Sequence, residues 1–345
     1  GYISPDLTLL ADHIGVEGFV EMDWQRSPRS MLWTVRENGE LAVLTLDRNH
    51  QIQAWHRHPT DGTVESVAVI PGTDEDIVYM VVKREIDGND AKYIEYLKPI
   101  NRPDDEEDYF FCDSGLTFDY TDTTGSIEGA SQADPVVVEM TGHSFSNDDF
   151  VRISGVVGMT ELNGNVYQVK NADTDDFELY ETDGVTSLDG SGFTAYISGG
   201  TVEKVARALS GLDHLEGKSV QVYADGEELG DETVSSGDIT IDDYAAKIHV
   251  GLGYTGTLLT QRLGNFAPVR VPEAVLLLYK TRGGKIGPDA SNLYPLTYAT
   301  DVVMTGPQEV RIDGKFSREG SIMIVQDQPY PMTLLGLVAD MVVED

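Results

Sequence analysis

His56 and His58, one residue apart, are the first side chains in this sequence with the chemistry to hold a metal. On a strand, positions i and i+2 face one side, so a His-x-His pair can chelate, with Asp61 near enough in sequence to be a third ligand. Pro59 and the Thr60-Asp61-Gly62 turn intervene. The plainer reading is a polar strand face running into a turn. Carboxylates are abundant, 59 in all, and glycosidases work with two of them across one bond. Spacing along the chain gives no separation in space, so no pair stands out. Asp173-Thr174-Asp175-Asp176 opens like a calcium loop, but the sixth and twelfth positions, where an EF-hand needs Gly and Glu, hold Glu178 and Gly184. A single cysteine, Cys112, excludes an intrachain disulfide and a Cys-based zinc site. No GxSxG, Walker, G-x-G-x-x-G or HExxH motif is expected to carry chemistry here. The residues therefore nominate no catalytic, cofactor-binding or metal-ligating group, and the expectation is a protein that is not an enzyme and carries no cofactor.

Composition bounds the rest. The 345 residues include 24 Lys+Arg against 59 Asp+Glu, a formal net charge of −35. With 40% hydrophobic and 24% charged residues, the chain suits a folded protein of about two or three domains. No apolar run approaches the ~18 residues of a membrane-spanning helix, so no membrane insertion by this chain is expected. So negative a chain is a poor candidate for gripping nucleic acid through its phosphates.

The elements that would position any site are mostly strands. Ser4 as N-cap and Pro5 at the first turn predict a short helix over 5–14. Met31–Arg36 and Leu41–Leu46, joined through Asn38-Gly39, read as a hairpin. Gln51–His58, Val64–Ile70, Ile77–Arg84 and Lys92–Leu97 continue at a spacing of roughly 10–13 residues, the cadence of an antiparallel meander and of propeller blades. Pro103 to Val151 holds no Lys or Arg, and its opening acidic run reads as a solvated linker. Tyr109–Cys112 reads as a short buried strand. Strand patterns at Pro135–Met140, Phe150–Gly155, Val166–Ala172, Phe177–Tyr180 and Phe193–Ile197 make a small β module, and Asp134 to Ser198 holds twelve acids against Arg152 and Lys170. Thr201–Leu209 has helical spacing of Val202, Val205, Ala206 and Leu209. Ala274–Lys280 is almost continuously apolar, as in a strand buried on both faces. Arg311, Lys315 and Arg318 form a small basic patch, read as solvated surface or a subunit contact.

The expected fold is mainly β: an antiparallel multi-module protein of propeller-like blades, a β-sandwich or barrel-like domain and a small inserted module. The expected divisions are a meander over 1–102, an acidic strand and linker over 103–134, the insert over 135–198 and a C-terminal β domain over 199–345. The opening Gly1-Tyr2-Ile3 lacks a basic stretch followed by an apolar one, so no secretory signal is expected there, and a processed product and the ordered part of something longer both stay open as readings.

Several strings carry a resemblance. Ser4-Pro5-Asp6-Leu7-Thr8-Leu9-Leu10-Ala11-Asp12-His13-Ile14, Met22-Asp23-Trp24-Gln25-Arg26-Ser27-Pro28 and Ala54-Trp55-His56-Arg57-His58-Pro59-Thr60-Asp61-Gly62 come first. Gly211-Leu212-Asp213-His214-Leu215-Glu216-Gly217-Lys218 and Val250-Gly251-Leu252-Gly253-Tyr254 follow. Together, over most of 1–120 and 200–345, they resemble the C-terminal half of the tail-tube nozzle, or stabilisation, proteins of short-tailed bacteriophages. Phe145–Ile153, with Leu162-Asn163-Gly164 and Tyr167-Gln168-Val169, resembles the first catalytic-cysteine half-domain of ubiquitin-activating enzymes, without a catalytic cysteine.

The first resemblance implies a virion structural protein: a homo-oligomer, a six-fold ring beside adaptor or portal-side and fibre proteins, with DNA passing as non-specific cargo. The insert would project as decoration or as a fibre or receptor contact. Two other classes stay open at this stage. One is a receptor- or glycan-binding tail protein that uses Tyr167, Tyr180 and Phe193 of the insert. The other is a tail-associated wall-degrading enzyme.

Overall fold

Period-two alternation of apolar and polar residues gives this chain sheets with one face to bury. The computed structural model describes residues 6–9, 11–99, 105–263, 267–296 and 303–344. Among them the chain is nearly all β, in several antiparallel sheets, and none is a closed barrel. No described helix is long and apolar enough to cross a membrane. Two compact units emerge, one of Gly1–Asp104, Tyr109–Ser114 and Leu252–Asp345, the other of Asp105–Asp108 and Gly115–Gly251.

The first unit begins with a meander of four strands in chain order, Phe19–Gln25, Met31–Arg36, Leu41–Asp47 and Ile52–His58. The predicted hairpin at Asn38-Gly39 is present. Gly39 has φ +82°, and a Cβ there would lie 2.8 Å from Thr63 Cβ, so only glycine fits. Three further strands, Thr63–Ile70, Ile77–Ile86 and Asn89–Tyr96, form a second sheet. Met31, Trp33, Val35, Leu41 and Val43 from the first sheet pack with Val64, Val67, Val78, Met80 and Val82 from the second. Trp33 keeps its indole N–H satisfied in this core by donating to Gln25 Oε1 at 2.9 Å.

One cation is enclosed in this unit. Arg84 is 1% exposed and donates Nε and Nη2 to the two oxygens of Glu95, each at 2.7 Å. Its Nη1 donates to Thr60 Oγ1 at 3.1 Å and to the Asp61 carbonyl. Ser114 Oγ adds a bond to Glu95 Oε1 at 3.1 Å. A fork-on-carboxylate pair of this kind fixes the sheet against the turn after His58 and against residue 114. Burial raises the carboxyl of neighbouring Asp113, against the opposing pull of Thr60 and Arg84.

The same unit holds the C-terminal strands. Met304–Arg311, Val269–Thr281 and Leu334–Val343 form a three-stranded sheet in that order. Gly256–Leu259, Met323–Gln326, Lys285–Gly287 and Tyr294–Pro295 form a four-stranded one. Ala274, Leu276 and Leu278 pack with Ile286, Leu296, Ile312, Ile322 and Ile324. The run Ala274–Lys280 is thus buried on one face only, because Leu277 and Tyr279 are each 44% exposed. Its continuous apolarity hid an ordinary alternation of inner and outer positions.

In the second unit, Glu227–Thr233, Ser219–Ala224, Lys247–Leu252 and Asp113–Asp119 form one sheet. The larger sheet runs in the order Gly129–Ala130, Val137–Glu139, Asp176–Tyr180, Val166–Lys170, Phe150–Val157, Ser198–Leu209 and Ile239–Ala245. The expected helix at Thr201–Leu209 is therefore a strand. Val202 enters the module's core with Val151 and Ile153, and its register partner is Ile153. Val205 is buried on the opposite face, and the register shifts between Ala206 and Ala208 as the strand passes to Ile239–Ala245. Two buried faces and a bulge imitate helical spacing.

Three other expectations change. The helix over 5–14 is reduced to Asp12–Gly15. Asp6 Oδ1 accepts the backbone N–H and the hydroxyl of Thr8, a local turn that competes with helix. Ser4 and Pro5 lie outside the described residues. Tyr109–Cys112 and Phe193–Ile197 are irregular, although Tyr109 is buried and Phe193 packs on the module core.

Removing the enclosed guanidinium leaves Glu95 without its partner. Arg84→Met should lower unfolding stability by roughly 3 kcal/mol, read from urea denaturation of the two proteins. A change below about 0.5 kcal/mol would mean that solvent already satisfies Glu95.

Candidate functional site

The chemistry nominated by the histidines is partly assembled. His56 and His58 share a face, with Nε2 atoms 3.0 Å apart and ring centroids 4.9 Å apart. His58 also tilts against Trp33 at 5.4 Å. Burial, then the neighbouring His56, holds His58 down at about 4, and burial lowers His56 as well. Asp61 does not complete a triad with them, and its backbone carbonyl accepts from Arg84. Among the described residues, no group of three or more His, Cys, Asp or Glu is arranged to hold a metal ion. Cys112 is no activated nucleophile, since burial and the adjacent Asp113 push its thiol up to about 12.

One motif escaped the sequence reading. Gly251-Leu252-Gly253-Tyr254-Thr255-Gly256 has the G-x-G-x-x-G spacing of a dinucleotide loop. It joins strand Lys247–Leu252 to strand Gly256–Leu259. No helix N-terminus follows to receive a pyrophosphate, so the spacing is coincidental.

What the second unit does assemble is charge. Its residues carry 30 Asp+Glu and six Lys+Arg. Its cations serve as internal ties. Arg152 lies 3.4 Å from Glu203 and 3.2 Å from Asp225, and donates to the Tyr244 carbonyl. Lys204 pairs with Asp149 at 2.7 Å, and Lys170 with Asp148. Lys247 pairs with Asp108 and, at 3.2 Å, with Asp119. Burial raises Glu203, with Arg152 pulling it back and Asp225 and Glu107 adding to the rise.

The small module sits within this unit. Its core joins Val136, Val138, Phe145, Val151, Ile153, Tyr167, Phe177 and Leu179. Tyr167 is only 4% exposed, and Tyr180 and Phe193 are half-buried. Tyr167 is therefore a packing group rather than an exposed aromatic, and Phe193 packs on the module core. The chain segment before the module bridges two strands: Thr124–Ser126 pairs with Ser198–Leu209, and Gly129–Ala130 with Val137–Glu139. Entry and exit lie side by side, with Lys204 N donating to Thr123 O at 2.9 Å.

The comparisons with known proteins agree with this local architecture. Residues 135–206 match the family model described as the ubiquitin-activating enzyme E1 FCCH domain. The match ends within Ser198–Leu209, the strand that pairs with Phe150–Val157 and is thus integral to the module. Cys112 lies outside the matched residues, so the module brings no thiol chemistry. No curated protein sequence matches the chain. Among solved structures, an exo-beta-1,3-galactanase from Phanerochaete chrysosporium, with galactose, is 10% identical over 93% of this chain and 68% of that one. Its TM-score of 0.15 denotes no common fold.

Two outcomes follow from this geometry. The unfolded chain takes up a proton at an ordinary histidine near 6.5, whereas folded His58 does so only near 4. Between those values the unfolded state binds more protons, so the contribution of His58 to stability falls as pH falls. Urea midpoints measured from pH 7 to 4 should decline less steeply in His58→Gln than in the parent. Second, replacing residues 125–202 by a short Gly/Ser link should leave the remaining chain cooperatively folded, checked by circular dichroism melting. Loss of all cooperativity would show that the host depends on its insert.

Proposed function

We propose that this chain is a wall subunit of a short-tailed bacteriophage tail tube, or nozzle, through which the genome leaves the virion. Its work is mechanical and electrostatic, and its substrate is a passage rather than a bond. The observation that carries this reading is the charge, −35 over an all-β chain. The strings over 1–120 and 200–345 support it through their resemblance to nozzle proteins. An acidic lining repels duplex phosphates and lets DNA slide, whereas a basic lining would bind it through counterion release. In the second unit most cations are tied to neighbouring carboxylates, which leaves the acidic surplus to act on whatever lies outside.

On this reading the subunits form a six-fold ring, contact adaptor or portal-side and fibre proteins, and reside in the virion tail. The module over 135–206 decorates the ring. Its buried Tyr167 weighs against aromatic sugar stacking at that residue. The test is direct. Purified chain, viewed by negative-stain microscopy and weighed by light scattering, should form closed rings, and should not retain duplex DNA at physiological salt. A lone monomer that clears peptidoglycan or host polysaccharide in a zymogram would overturn the proposal.

A further inference from the structure

His56 and His58 take no part in the assembly proposed above, yet the fold holds their rings together at one margin of a core. His56 has Val43 as its register partner and His58 has Leu41, and both partners are buried between the first two sheets. Their strand, Ile52–His58, is the outer one of its sheet and has no described strand on its far side. The rings therefore lie over the core face and end at its rim, where His58 is half-buried and His56 exposed. Trp33 pairs with Val43 in the same row as His56, and its ring rests against that of His58 at 5.4 Å. One imidazole is thus held by packing, and the other is open to solvent as a way in.

The spacing of the rings is that of a chelate. At the ~2.0–2.1 Å of a metal–imidazole bond, Nε2 atoms 3.0 Å apart subtend about 95° at a shared ion. That angle suits the right-angled positions of a tetragonal ion better than the roughly 109° of tetrahedral zinc. Ring direction agrees. Two imidazoles aimed straight at one another across this gap would have centroids about 5.3 Å apart, and two converging on one ion about 4.7 Å. The centroids are 4.9 Å apart, nearer to the second arrangement.

Protonation favours the same occupant. Burial lowers both rings, and His56 lowers His58 further, so at neutral pH both are uncharged imidazoles. A proton would serve one ring and set its charge against the other, whereas a metal ion accepts from both at once. Only a tautomer change is needed. The ring that donates its Nε2–H to its neighbour takes its proton at Nδ1 instead, and no net proton is released. The formal charge of −35 draws cations toward the chain as a whole.

We propose that His56 and His58 form a two-nitrogen chelate for one divalent transition-metal ion, copper(II) ahead of zinc(II), with water in the remaining positions. The preference follows from the near-right-angle bite and from the general order of nitrogen-site affinities. Magnesium and calcium, which take oxygen ligands, are not candidates: the described residues gather no carboxylate beside the pair to make a three-group cluster. An ion held by two protein ligands keeps open positions, so it can accept a further donor from outside.

Titration of the chain with copper(II) chloride in a non-coordinating buffer tests this, read by tryptophan fluorescence and electron paramagnetic resonance. One ion should bind with a dissociation constant of about 1–10 μM. It should quench tryptophan emission, because Trp33 lies against His58, and its spectrum should show coupling to two nitrogens. His56→Gln, at an exposed position that the fold does not need, should weaken binding roughly 30-fold by removing one arm of the chelate. His58→Gln should do the same. Zinc(II) should displace the copper only in large excess, and magnesium should not displace it. Binding unchanged in both variants would put the ion elsewhere and overturn the proposal. A spectrum with a single nitrogen, or a parent that binds no copper(II) below about 1 mM, would overturn it too.

Discussion

An antiparallel sheet with one apolar face is stable only when something lies over that face, and this constraint organises the described chain. Two sheets of the first unit cover one another through Trp33, Leu41, Val67 and Val82. The C-terminal sheets do so through Leu276, Leu278, Ile286 and Ile324. The module folds its strands around Val138, Ile153, Val169 and Phe177. Each core is built of apolar aliphatic and aromatic side chains drawn from one unit. Among the described residues some apolar positions stay open, Leu277 and Val338 on one strand pair and Val20, Met22 and Trp24 on the first strand.

Electrostatics works inside this frame rather than beside it. Arg84 is enclosed because Glu95, Thr60 and the Asp61 carbonyl occupy its donors, so the guanidinium leaves water without being left unpaired. Arg152 spans from the module strand to Asp225 and Tyr244 in the same manner. Arg36 reaches Ile14 O at 3.0 Å and Glu17 at 3.2 Å, which ties the short helix to the first sheet. Scarce cations in an acidic chain thus serve as internal rivets. Many of the remaining carboxylates are exposed, and salt screens their mutual repulsion beyond about 8–10 Å.

Much of the fold was legible because strand alternation and turn chemistry are local. Met31–Arg36 and Lys247–Leu252 lie where their β-branched and aromatic residues put them, and Asn38-Gly39 turns as its glycine requires. What failed depended on partners distant in sequence. Val202 and Val205 imitate a helix because separate layers cover the two sides of their strand. Leu277 is open to solvent although it lies in a continuous apolar run, because nothing in such a run says which side stays open. Phe19–Gln25 went unread, since its inner positions are the polar Glu21, Asp23 and Gln25, which bond to Ser66, Val69 and Trp33. Of the candidate site, sequence gave the shared face of His56 and His58. It could not give the enclosure of Tyr167 or the engagement of Asp61 by Arg84.

The strand Ser198–Leu209 runs unbroken from the module into its pairing with Ile239–Ala245. A tug on the module along that axis would therefore stress a row of backbone hydrogen bonds in shear, all at once, instead of opening them one by one like a zipper. An appendage mounted in this way can be dragged without being peeled from its host.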